Sequence, residues 1–173
     1  MKALIASDIH GNLEYMQKLD KICEKENFDK IILLGDLLHN YYYYNQAEEN
    51  GVASLLNKRA NITISVVGNC DRDYEIDKLL FPVVNEIDKI DLDEHSFFIT
   101  HGHLNYKYRY LLDDNYAFVG HTHIYDLSDK HINPGSVGLP RNHNESTCLI
   151  YNNHILSLIS LDTGEILAKK CLK

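Results

Sequence analysis

Basic residues are scarce in this chain: 17 Lys and Arg stand against 25 Asp and Glu, a formal net charge of -8. The sequence-independent pull toward phosphate backbones, on which nucleic-acid binders depend, is therefore missing, and a long nucleic acid is a poor partner. Cysteine is sparse too. Cys23, Cys70, Cys148 and Cys171 form no C-x-x-C pair, which speaks against both a disulfide framework and a zinc knuckle. Long hydrophobic runs are lacking: the stretch Ala3 to Ala6 follows one lysine and soon meets Asp8, too short for a signal-peptide core or a membrane span. No membrane partner is expected, and a reducing cytoplasm is the default location. Repeats, linkers and low-complexity tracts are absent apart from the four tyrosines Tyr41 to Tyr44. That run reads as a partly exposed loop or a homo-oligomer surface, with a substrate-facing aromatic wall as the alternative. Nor is there a serine-histidine-acid pattern on a strand-turn-helix elbow, so nothing suggests a covalent intermediate.

What is present fits an ordinary globular protein. With 173 residues, 45% hydrophobic and 24% charged, the chain suits one domain over residues 1–173 that buries its own core. Lys2 to Ala6 and Lys30 to Leu34 are short apolar runs of the kind found in strands covered on both faces. Between them Asn12 can cap a helix whose Leu13, Met16, Leu19, Ile22 and Cys23 recur at three and four residues. The spacing predicts a second helix over Ala47 to Arg59, a strand over Ile62 to Val67 and a short helix over Tyr74 to Leu80. Beyond residue 83 the texture turns to short strands: Ile87 to Leu92, Ser96 to Thr100, Tyr116 to Val119, Thr147 to Tyr151, Ile155 to Ser160 and Ile166 to Leu172. Asn152-Asn153 and Asp162-Thr163-Gly164 read as hairpin turns. Beta-alpha units first and hairpins later predict an α/β fold of two mixed sheets face to face with helices outside, a four-layer alpha-beta-beta-alpha sandwich.

Five motifs close apolar runs: Asp8-Ile9-His10, Gly35-Asp36, Gly68-Asn69, His101-Gly102-His103 and Gly120-His121-Thr122-His123. Asp, Asn and His are donors that first-row divalent metals accept, and no thiol cluster competes. Taken singly, each motif is a common strand-ending turn or surface pair. Taken together they suggest a two-metal hydrolase site. Residues at i and i+2 in extended chain project to one side, so Asp8 with His10, and His121 with His123, can each converge.

The order and spelling of these motifs over residues 5 to 143 resemble the calcineurin-like metallophosphoesterase superfamily. Gly68-Asn69-Cys70-Asp71, Thr100-His101-Gly102-His103 and Asn133-Pro134-Gly135-Ser136 resemble its small bacterial and archaeal phosphodiesterase branch, which shares its fold with the retromer subunit. The resemblance implies that Asp8, His10 and His123 hold one metal and Asn69, His101 and His121 the other, with Asp36 bridging and Asn133 to Ser136 packed beside them. Two divalent ions follow, manganese first among zinc, nickel, cobalt and iron. They would activate a hydroxide against a small phosphodiester. Asp36, Asn69, Cys70 and His103 are the candidate catalytic positions; His103 is a phosphate contact or simple packing. Cys70 departs from the superfamily's usual histidine. A metal pair would favour its thiolate, which suits proton donation poorly. Gly35 to Tyr41 lack the Gly-Asp-x-x-Asp-Arg-Gly of protein phosphatases, which disfavours that activity. His39, His95, His131, His143 and His154 read as surface or loop residues, His39 near enough to reach the cleft. The competing reading is a catalytically silent scaffold of the retromer-subunit type, whose ligand set is degraded where this one is intact.

Overall fold

The computed structural model describes residues 1–40, 42 and 44–172. Tyr41 and Tyr43 of the tyrosine run lie outside the described residues; Tyr42 and Tyr44 are exposed.

Strands β1 (Lys2–Ala6), β2 (Lys30–Leu33), β3 (Thr63–Val66) and β4 (Val83–Val84) pair in parallel. Strands β9 (Thr147–Asn152), β10 (Ile155–Ser160) and β11 (Ile166–Cys171) add antiparallel to the free edge of β1. The result is one seven-stranded mixed sheet in the order β11-β10-β9-β1-β2-β3-β4. Its partner has four strands, β5 (Ile87–Leu92), β6 (His95–Thr100), β7 (Tyr116–Val119) and β8 (His131–Ile132); β5 and β6 form a hairpin and the rest pair in parallel.

The layers follow from which faces are apolar. Helix α1 (Leu13–Lys25) starts where the Asn12 side chain accepts from the Tyr15 amide at 3.2 Å, and it buries Met16, Leu19 and Cys23. Helix α2 (Gln46–Asn57), capped by Asn45, buries Val52, Ala53 and Leu56; both stripes pack on Leu4, Ala6, Ile31 and Leu33 of the large sheet. The opposite faces of those strands supply Ala3, Ile5, Ile32 and Leu34 to a second core against Phe97, Ile99 and Phe118 of the small sheet. Phe97 and Phe118 stack at 4.5 Å, and burying each such ring contributes about 1.5–3 kcal/mol. Outside the small sheet Leu112 of the one-turn helix α4 (Arg109–Leu112) covers Ala117 and Val119. The expected sandwich is therefore present, with a thin fourth layer.

Two local expectations shift. The helix expected over Tyr74 to Leu80 is the single turn α3 (Asp73–Ile76): the Asn57 side chain accepts from the Leu80 amide, which a longer helix would bond to the Ile76 carbonyl, and donates to the Lys78 carbonyl. The hairpin turn expected at Asn152-Asn153 is Asn153-His154, because Asn152 still pairs with Ile155 and both turn residues take positive φ. Among the described residues no helix is long and apolar enough to cross a membrane.

Candidate metal centre

The five motifs meet at the C-terminal ends of β1, β2 and β3 in one sheet and of β6 and β7 in the other. Their convergence does not arise from extended alternation. Asp8, His10, Asp36, His121 and His123 all take left-handed backbone, with φ of 54°, 50°, 54°, 69° and 62°. Asp and His tolerate that region better than bulkier residues, at a cost of order 1–3 kcal/mol each, and such strain collects at functional sites. The donors are thus brought together by tight turns just past the strands.

Asp8, His10 and His123 are buried side by side. His10 Nδ1 lies 3.1 Å from the His39 carbonyl and His123 Nδ1 2.6 Å from the Leu139 carbonyl. A carbonyl only accepts, so each Nδ1 carries the proton and each Nε2 presents a lone pair. The two Nε2 atoms face each other at 3.4 Å, and Asp8 Oδ1 lies 3.3 Å from that of His123 and 3.8 Å from that of His10. Asp8 Oδ2 accepts from Ser7 Oγ and the His121 amide, whereas the buried Oδ1 has no hydrogen-bond partner. Three lone-pair donors pointed at one another repel unless a cation lies among them. A metal bound at ~2.0–2.1 Å puts tetrahedral donors about 3.4 Å apart, so the spacing fits.

Asp36 lies between this trio and a second group. Its Oδ2 is 3.6 Å from His10 Nε2 and 3.4 Å from His101 Nε2, while Oδ1 accepts from the Cys70 amide at 2.7 Å. Burial raises its pKa, but the His101 ring, the Cys70 amide and His10 outweigh this and hold the carboxyl well below the usual range. His101 Nδ1 lies 2.6 Å from the Leu34 carbonyl, again leaving Nε2 free to accept, 3.0 Å from Asn69 Oδ1. Burial lowers His101, yet Asp36 overrides it and the net shift is upward: a proton on Nε2 offers the carboxylate what a metal would. His121 is less engaged, its ring edge-on to His101 at 5.2 Å. Burial lowers His121 and His123, keeping both rings neutral and able to ligate.

The surrounding loops explain the glycines. A Cβ on Gly68 would lie 2.1 Å from Asp36 Oδ1, and one on Gly120 2.0 Å from Ser7 Oγ, so only a bare backbone lets the donor loops nest. Asp71 ties two of them: its Oδ2 accepts from the Asp36 and Gly68 amides and its Oδ1 from the Leu37 amide, each at 2.8 Å. Asn133 donates to the Gly120 carbonyl and Ser136 to that of Asp8, which sets Asn133 to Ser136 beside the centre. Sequence reasoning missed Asp71 and Glu75 as organisers. Glu75 lies 3.1 Å from His39 Nδ1, on the residue whose carbonyl orients His10; the burial of Glu75 and the amide partners of Asp71 could not be read from spacing.

His10, Asp36, Asn69, Cys70, His121, His123, Leu139 and Arg141 line a small, open cleft of about 50 Å³. Burial, then the charge of Asp36, pushes the Cys70 thiol up to about 12. His103 packs 5.4 Å from the His101 ring and 6.1 Å from that of His121, with its buried Nδ1 unpartnered; burial and His101 lower its pKa.

This fold, with histidines and carboxylates gathered past the strand ends, defines a metallohydrolase scaffold. A family model for the calcineurin-like phosphoesterase superfamily domain matches residues 1–154, and the chain belongs to that superfamily. Phosphodiesterase YfcE of Escherichia coli K12 is 33% identical over 179 residues, 98% of this chain and 97% of the relative. Phosphodiesterase MJ0936 of Methanocaldococcus jannaschii is 28% identical over 109 residues, 60% of each. The solved structure of the E. coli phosphoesterase YfcE matches with a TM-score of 0.85 and 28% identity over 100% of both chains. Vacuolar protein sorting 29 from Cryptosporidium parvum, at TM-score 0.64 and 14% identity over 98% of this chain and 97% of that one, shares the fold.

Proposed function

We propose that this chain, as one domain, is a metal-dependent phosphodiesterase acting on small phosphodiesters. Asp8, His10 and His123 hold one divalent ion, Asn69, His101 and His121 the other, and Asp36 serves both. The observation that carries this is the buried, unpartnered Asp8 Oδ1 facing two imidazole lone pairs, an arrangement that is unfavourable until a cation occupies it. When bound, such ions polarise a phosphoryl oxygen and supply hydroxide near neutral pH. The protein's own part is to hold the His10, His101 and His123 rings through Nδ1 on backbone carbonyls so that Nε2 faces the ion, to keep Asp36 ionised, and to offer a neutral oxygen from Asn69 so that positive charge remains for the phosphate. Arg141 at the cleft and His103 beside it are the proposed phosphate contacts. Cys70 is an uncharged wall that favours monoanionic diesters over dianionic monoesters. The names of the bacterial and archaeal relatives support the phosphodiesterase reading. Manganese is the leading ion, with zinc, nickel, cobalt and iron as alternatives; a cytoplasmic location, self-association and no long nucleic-acid substrate complete the proposal.

The test is hydrolysis of bis-p-nitrophenyl phosphate by protein loaded with manganese. Turnover that is lost with chelator and restored by the ion is expected. Inactivity with manganese, zinc, nickel and cobalt alike overturns the reading in favour of the scaffold.

A further inference from the structure

A second cluster of metal-ligating side chains lies at the other end of the sandwich. Glu94 belongs to the turn of the β5–β6 hairpin and His95 is the first residue of β6. His154 comes from the β9–β10 turn, and so from the other sheet. Strand β6 has six residues, roughly 20 Å at ~3.3 Å each, and the phosphoesterase centre sits past its far end. The two sites are separate.

One donor atom from each of Glu94, His95 and His154 lies within 4.8 Å of the other two. His154 Nδ1 is 3.4 Å from Glu94 Oε1, the spacing that two ligands of a tetrahedral ion bound at ~2.0–2.1 Å adopt. The rings of His95 and His154 meet edge-on with centroids 5.3 Å apart. His154 Nδ1 is buried and makes no hydrogen bond, so a lone pair or a donor is left unmatched inside the cluster. The turn offers a further sign. Asn153 and His154 take φ of 48° and 65°, the type I′ pair in which glycine is the usual second residue. Histidine there is conformationally unfavourable, and its ring is what reaches Glu94 and His95. Asp93, next to Glu94, accepts from the Tyr151 hydroxyl at 3.0 Å and pairs with the N-terminal ammonium at 2.8 Å, so the cluster's own negative charge comes from Glu94.

We propose that Glu94, His95 and His154 form a second metal site, for one zinc-class divalent ion, that clips the β5–β6 hairpin of one sheet to the β9–β10 hairpin of the other. Two imidazoles and a carboxylate are the borderline donors that zinc, cobalt and nickel prefer over magnesium or calcium, and the exposed side of Glu94 leaves room for water as the remaining ligand. Its role is structural, and it stands whether or not the cleft proves to be a phosphodiesterase.

The test compares full-length wild type with His154→Gly, which gives the turn its preferred residue and folds at least as well without metal. In chelator the variant is expected to melt at or above the wild-type temperature. With zinc at about a hundredfold excess over Kd, wild type gains roughly 5–10 °C more than the variant, because ions in the cleft stabilise both alike. The variant also binds one zinc fewer, and zinc-edge anomalous maps of the wild type place a peak among Glu94, His95 and His154. Equal zinc stoichiometry and equal zinc-dependent shifts in the two proteins, or anomalous peaks confined to the cleft at saturating zinc, overturn the proposal.

Discussion

Replacing Asp71 by asparagine probes how the two donor loops are held. The carboxylate accepts three backbone amides at 2.8 Å, two on Oδ2 and one on Oδ1. Asparagine has one accepting oxygen. Turned the better way, it keeps the Asp36 and Gly68 amides and presents its own donor to the Leu37 amide. One charge-assisted bond, about 1.5–3 kcal/mol, is then lost outright, and two others fall to the neutral range of about 1 kcal/mol. Against this, burial raises the Asp71 pKa despite its three amides, so the ionised form is itself unfavourable and its removal returns part of the loss. The net expectation is a destabilisation of about 2–3 kcal/mol, read as a lower urea midpoint at unchanged m-value. Since the Asp36 and Gly68 amides anchor the donor loops, activity should fall further than stability implies: a shift approaching 1 Å at Asp36 is worth about 10²-fold in kcat/KM. An Asp71→Asn protein within about 0.5 kcal/mol of wild type, with full manganese content and unchanged kcat/KM, refutes the reasoning.

Asp36→Asn should lower turnover of bis-p-nitrophenyl phosphate by at least ~10³-fold and reduce metal content, far more than Asn69→Ala, because it removes the one carboxylate that faces both histidine groups; a near-normal rate with two bound ions contradicts it. Cys70→His should raise kcat/KM for p-nitrophenyl phosphate relative to the diester by placing an imidazolium where an uncharged thiol now lines the cleft; an unchanged diester-to-monoester ratio in steady-state assays sinks the idea. Asp20 is buried with Lys58 and Arg59 on its carboxylate; burial raises its pKa, but the two cations outweigh it and the net shift is downward. Its contribution is therefore present above the unfolded value of ~3.9 and lost as pH falls through the folded one, so Asp20→Asn should be about 1–2 kcal/mol less stable from pH 5 to 8, with the gap closing below about pH 4. A gap that persists at pH 2.5 in urea titrations rejects that assignment.

The beta-alpha units and the motifs that carry the donors proposed for the cleft were legible because periodicity and motif spelling are local properties. Strands of two residues, Val83–Val84 and His131–Ile132, and the four-residue α4 are too short to carry a period, and they exist only through pairing and packing with distant chain. The manner of convergence was not legible either. Spacing of i and i+2 suggested extended chain, whereas left-handed φ at Asp8, His10, His121 and His123 turns the donors inward, supported by glycines and carbonyls far away in sequence. The Glu94, His95 and His154 cluster was hidden for the same reason: residues 59 and 60 positions apart meet only when two sheets stack.

The donors are divided between the sheets, with Asp8, His10, Asp36 and Asn69 following strands of one and His101, His121 and His123 following strands of the other. If these donors hold ions as proposed, the centre would act as a strain gauge across the interface. Any slippage of one sheet over the other by even an ångström changes donor separations now near 3.4 Å, while leaving each sheet's own hydrogen bonds intact. In a loosened, compact state that retains secondary structure, ion affinity should collapse before the far-ultraviolet circular dichroism does, so that metal release reports the loss of sheet-on-sheet registry rather than of the strands themselves.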